Sequence, residues 1–195
     1  MLRNKITDKF PIRSIVLKVC IALACYLYTT SPYTYAQVKP APEYQVKAAF
    51  LYNFTRFIDW PPDAFDSPDE PFIIGIAGKN PFGTYLQEIV SGETVNGHPI
   101  IVQHYAARKD IDNCHLLFIN LNEGAKIKEA ISAMSQKNVL TVGNADNFLK
   151  WGGMIRFYTE RNKIRFEINA AAVKAAQLEI SSKLLNVAKV YNLQN

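Results

Sequence analysis

The chain has 195 residues, with 22 basic and 17 acidic side chains and a formal net charge of +5. Five of the basic residues and one of the acidic ones fall in residues 1–36, so the rest of the chain is balanced at 17 against 16. That balance excludes a nucleic-acid footprint, which needs clustered Lys and Arg to displace counterions.

The N-terminal segment reads as an export signal. Arg3, Lys5, Lys9 and Arg13 precede an apolar run from Ile15 to Tyr28, and Thr34-Tyr35-Ala36 offers a small-x-small cleavage site. The run is shorter than the roughly 20 residues of a spanning helix, which argues against a retained anchor. Ala22-Leu23-Ala24 is a poor lipoprotein signal ahead of Cys25. The expectation is a cleaved secretory signal peptide over residues 1–36 and an exported chain from Gln37. Residues 37–195 then suit a single domain, a size that buries roughly two-thirds of its unfolded surface. Cys20 and Cys25 leave with the signal. Cys114 remains without a mate, so an internal disulfide is ruled out, while a homodimer through an intermolecular bond stays open.

Gln37 to Pro42, with two prolines, reads as a loose arm. Glu43 to Ile58 is predicted as a helix whose apolar stripe is Val46, Phe50, Phe54 and Phe57, widened by Leu51 and Ile58. Asp59-Trp60-Pro61-Pro62 ends it. Phe72 to Gly78 is an apolar run of strand length. It leads through Lys79-Asn80-Pro81 into a helix around Phe82 to Val90, with Asn80 as N-cap and Pro81 at the first helical position. Val95 to Tyr105 is a second strand region, broken by Asn96-Gly97, and Leu116 to Ile119 a third. A helix over Glu123 to Lys137 carries Ile127, Ala130, Ile131 and Met134 on one face, and Val139 to Val142 is a fourth strand.

Beyond the paired glycines Gly152 and Gly153, apolar residues alternate at Ile155, Phe157, Ile164, Phe166 and Ile168 on either side of the polar turn Thr159 to Asn162. Alternation of this kind marks a hairpin with one buried face. Asn169 opens an Ala-rich helix, and Ser181-Ser182-Lys183-Leu184-Leu185 begins another. Strands alternating with helices predict a three-layer α/β sandwich, flavodoxin- or Rossmann-like. Its mostly parallel sheet carries helices on both faces and an antiparallel hairpin extension.

The residues carry no catalytic pattern. Gly78 to Thr84 resembles a phosphate loop but has Thr84 where the lysine should follow the second glycine. His98, His104 and His115 lack metal-ligand spacing. Cys114 and His115 are adjacent in an apolar strand, so they point to opposite faces rather than to a common metal or redox centre. Ser181 to Lys183 lacks the Ser-x-x-Lys spacing of a nucleophile pair, and a helix cap explains it better. The expectation is a non-enzyme with no cofactor and no metal. Arg165 and Glu167 fall on the solvent side of the second hairpin strand, where an exposed ion pair contributes under ~1 kcal/mol. Facing a protein partner, they would fix register more than affinity. The crevice from Gly78 to Gly83, at the C-terminal edge of the sheet, is the alternative small-ligand site, for a nucleotide or other anion.

Several segments together resemble the YfiR-like family: Lys47 to Phe54, Phe57 with Trp60-Pro61, Gly78 with Pro81 to Gly83, Cys114-His115, Leu140 to Val142, Gly152 to Ile155, Arg165 to Asn169 and Ser181 to Leu185. The resemblance spans Gln45 to Tyr191. It implies a periplasmic regulator that restrains an inner-membrane diguanylate cyclase, or in some genomic contexts a histidine kinase. An outer-membrane lipoprotein is the implied counter-partner. Family members often hold more than one cysteine, so the lone Cys114 sets this chain apart. The residues marked for partner or ligand binding are Trp60, Asn80, Gly83, Arg165, Glu167, Asn169, Ser181, Ser182 and Lys183.

Overall fold

The computed structural model describes residues 41–106, 111, 113–135 and 137–192. The expected signal peptide, Cys20, Cys25 and most of the proline-containing arm therefore lie outside the described residues. Pro42, assigned to that arm, instead opens the first helix.

Helix α1 runs over Pro42–Phe57, with Pro42 in the first turn, Glu43 near its positive end and Arg56 near its negative end. Its buried face is Lys47, Ala48, Leu51, Phe54 and Thr55. Val46, expected in the stripe, is 45% exposed. The buried face runs from Tyr44 through 47/48, 51 and 54/55 to Ile58, and Lys47 lies in the middle of it. The Lys47 ammonium pairs with Glu43 and sits 4.8 Å from the centre of the Tyr44 ring, so its charge is satisfied while its stem packs.

The chain leaves α1 as a two-residue strand β1 (Ile58–Asp59), turns through Pro62–Ala64 and enters β2 (Phe72–Gly78). The first six residues of β2 are buried, as a strand covered on both faces should be. Helix α2 (Tyr85–Val90) starts later than expected. The Asn80 carboxamide accepts from the Phe82 N–H at 2.9 Å and donates to the Gly83 carbonyl at 3.2 Å, and Gly83 has φ +58°. Asn80 thus closes a turn rather than capping the helix, and a left-handed glycine keeps residues 81–83 out of it.

Strands β3 (Thr94–Val95) and β4 (His98–Tyr105) are joined by Asn96-Gly97, both at positive φ as a tight hairpin requires. β5 (Leu116–Asn120), α3 (Gly124–Met134) and β6 (Leu140–Gly143) follow, and α3 buries Ile127, Ala130, Ile131 and Met134 as expected. The hairpin β7 (Ile155–Glu160) and β8 (Lys163–Ile168) turns on Arg161-Asn162, again at positive φ. Then come α4 (Ala170–Ala175), β9 (Glu179–Ile180), α5 (Ser182–Leu185) and β10 (Lys189–Val190).

The main sheet has the order β10-β8-β7-β6-β5-β2-β4-β3. The five strands from β7 to β4 are mutually parallel, while β8 runs antiparallel to β7 and parallel to β10, and β3 runs antiparallel to β4. β1 and β9 form a separate antiparallel pair that ties the start of the domain to its end. One core packs α1, α2, α4 and α5 on one face of the sheet, around Phe54, Phe72, Phe118, Phe157 and Phe166. A second core packs α3 on the other face, around Leu117, Ile119, Phe148 and Leu149. This is the expected three-layer sandwich. Among the described residues the α3 core contains none of β7 or β8, so the packing of α3 stops at β6.

The paired glycines now have a physical role. Gly152 has φ +93°, and a Cβ on Gly153 would lie 2.3 Å from the Phe148 ring. Gly143 meets the other side of that ring, with a Cβ distance of 2.4 Å. Phe148 is clamped between two backbones that only glycine lets approach so closely.

Candidate functional site

Where the second helical layer stops, β7, β8 and β10 present a polar sheet face. Their inward residues pack on α1, with Phe54 5.9 Å from Phe157 and 5.2 Å from Phe166 between ring centres. Alternation then sends Arg156, Tyr158, Arg165 and Glu167 to the opposite face. The two-residue turn sets the register, placing Arg156 directly across from Glu167 and Tyr158 across from Arg165.

Glu167 organises this face. Arg156 donates to Glu167 Oε2 from Nε at 3.2 Å and Nη2 at 3.0 Å, and Lys189 on β10 binds Oε1. Arg156 also reaches Asp146 at 3.0 Å, and the Tyr158 ring lies 5.4 Å from the Arg156 guanidinium and 5.8 Å from the Lys189 ammonium. Burial pushes the Glu167 carboxyl up, but Lys189 and Arg156 outweigh it and hold the group below the usual range. Lys189 is raised in return, by its hydrogen bond to Glu167. The expected Arg165–Glu167 surface pair is not what forms. Glu167 is buried and takes its cations from β7 and β10, while Arg165 stands exposed over the same face. Sequence reasoning missed Arg156, although counting back from the turn would have found it. Lys189 joins through a parallel contact that no local pattern announces.

The other marked residues do not converge on this face. Trp60 is 5% exposed, and its indole N–H donates to the His115 carbonyl at 3.1 Å. Asn169 caps α4 by accepting from the Ala172 N–H at 3.1 Å, and Ser181 caps α5 by accepting from the Leu184 N–H at 3.3 Å. Ser182 and Lys183 are exposed on α5. Asn80 and Gly83 lie at the opposite, C-terminal edge of the strands. There Asn120 donates to the Lys79 carbonyl at 2.7 Å, and Gly78 lies so near Asn120 that an added Cβ would be 2.4 Å from its carbonyl oxygen. These contacts hold the turn at residues 78–83 against the end of β5.

A family model described as YfiR/HmsC-like matches residues 44–189. The chain belongs to the YfiR/HmsC-like family. Members of this family are periplasmic and regulatory rather than catalytic, and the family is known for control of diguanylate cyclases. No curated protein matches the chain at a significant level.

Among the described residues no group of three or more His, Cys, Asp or Glu is placed to hold a metal, and no helix is long and apolar enough to cross a membrane. Cys114 is buried, and burial pushes its thiol up to about 12 even though Lys137 acts to lower it. A thiol so placed is protonated and unreactive at neutral pH.

Proposed function

We propose that this chain is a periplasmic regulator that binds and restrains an inner-membrane signalling enzyme, a diguanylate cyclase, and so lowers cyclic-di-GMP and restrains biofilm formation and adhesion. The observation that carries this reading is the family match over residues 44–189. The contact face we assign is the β7–β8–β10 sector, with Arg165 as an exposed contact and the Arg156–Glu167–Lys189 cluster holding the surface in shape. Two features support it. Among the described residues the sector is a part of the sheet that α3 does not cover, and its buried carboxylate fixes two cations in place before any partner arrives, which limits the ordering cost of binding.

The test is a deletion strain complemented with the wild-type chain or with Arg165→Glu. Deletion should raise cyclic-di-GMP and biofilm, the wild type should restore both, and Arg165→Glu should express normally yet fail to restore them. Unchanged cyclic-di-GMP, adhesion and biofilm on deletion would sink the regulatory reading. Full rescue by Arg165→Glu would move the contact face elsewhere.

A further inference from the structure

At the strand-start edge of the sheet, the segment from Pro62 to Pro71 is fastened by two histidines. The His115 Nδ1 accepts from the Ile73 N–H at 3.0 Å. A backbone N–H can only donate, so Nδ1 carries no proton, and the proton sits on Nε2, which donates to the Ala64 carbonyl at 3.1 Å. The Phe65 ring stacks on His115 at 4.5 Å on one side and on His98 at 3.7 Å on the other. His98 in turn donates through Nδ1 to the Glu70 carbonyl at 2.6 Å. Beside this segment lies a solvent-open pocket of about 260 Å³ lined by Asp66, Glu70, Cys114, His115 and Lys137, among others.

We propose that His115 is a proton-operated latch: its neutral ring holds the segment from Pro62 to Pro71 against the pocket that Cys114 lines, and its protonation releases the segment. The reason is geometric. A proton added at Nδ1 would point at the Ile73 N–H, and that nitrogen has no acceptor to offer. The ring must then turn away, taking with it the Ala64 hydrogen bond and the Phe65 stack. The neighbours that face it set the threshold. Burial favours the neutral ring most, and His98 on β4 opposes a second positive charge, whereas Glu70, Asp66 and the Ala64 carbonyl favour protonation. The cavity wall adds Asp63 and Lys137 to the surrounding charges. The balance lowers the ring's affinity for a proton in the closed state, so the latch is shut at neutral pH and loosens as pH falls below the ordinary histidine range.

Cys114, 6% exposed, reports the opening. The experiment labels the full-length chain with dithiodipyridine from neutral pH down to about 5. The Cys114 peptide is followed by mass spectrometry, and its rate is divided by that of the denatured chain at the same pH. Between the proton affinities of the open and closed states the corrected rate should rise about tenfold per pH unit. His115→Asn, whose carboxamide oxygen can still accept from Ile73 but does not titrate, should label with a flat corrected profile. A flat wild-type profile overturns the latch, and so does a His115→Asn profile that rises like the wild type. Should that variant not fold, imidazole nitrogen shifts of the wild type decide the matter. An Nε2–H tautomer titrating over the pH range where labelling accelerates supports the latch, and a titration outside that range overturns it.

Discussion

At the scale of single residues, the chain's least obvious investment is Glu167. A buried carboxylate is costly unless cations and hydrogen bonds compensate it, and here both its oxygens are engaged. Glu167→Gln keeps the shape but leaves Arg156 and Lys189 without their countercharge, and it should cost on the order of 3 kcal/mol at neutral pH. Because the folded-state carboxyl is held below its ordinary 4.5, its contribution is present above that pH and fades as pH falls through the lower folded value. Urea melts of the wild type and Glu167→Gln should therefore differ fully near neutrality and converge in acid. A gap that stays constant into strong acid would mean the cluster adds no pH-linked stability. Trp60 shows the opposite economy: an aromatic residue next to two prolines looks like a contact residue, yet its indole is fastened inside, 4.8 Å from Phe72.

At the scale of elements, α1 shows what the sequence conceals. Reading only apolar letters gives a stripe through Val46, Phe50, Phe54 and Phe57, which drifts off the true face because Lys47 was counted as polar. The real stripe admits Lys47, since Glu43 and two aromatic rings take its charge. The two readings share Leu51, Phe54 and Ile58 and part at Val46, so mutation separates them. Phe54→Ala should cost about 3–5 kcal/mol, whereas Val46→Ser should stay within about 0.5 kcal/mol. Thermal or chemical melts of the two variants check this, and comparable losses would restore the stripe through Val46. Elements with strong patterns were the most legible: α3 buries the four side chains its spacing marks, though it ends at Met134 rather than Lys137, and β2 has the bounds of its apolar run. The pair β1–β9 was not, because two strands of two residues carry no periodicity and exist only where tertiary packing brings them together.

At the scale of the molecule, alternation of strands and helices was enough to predict a mostly parallel sheet between helical layers. What it did not predict is where the second layer ends, because the extent of cover depends on how far α3 reaches across the sheet, a property of packing rather than pattern. That limit decides the candidate site: the marked residues are scattered over both ends of the sheet, and only Arg165 and Glu167 belong to the bare sector. These two have different duties, which gives the last prediction. Arg165 is exposed, and no part of the Glu167 cluster depends on it, so Arg165→Glu should leave stability within about 0.5 kcal/mol. Arg156 supplies hydrogen bonds to both Glu167 and Asp146, with only 16% of its side chain exposed, so Arg156→Ala should destabilise by about 2–3 kcal/mol. If the sector meets the partner, both variants should lose binding to the periplasmic domain of the cyclase in a pull-down or calorimetric titration, for opposite reasons. Arg165→Glu would bind weakly while melting like the wild type, and Arg156→Ala would lose both together. Normal binding by a stable Arg165→Glu protein would show that this face is bare without being used.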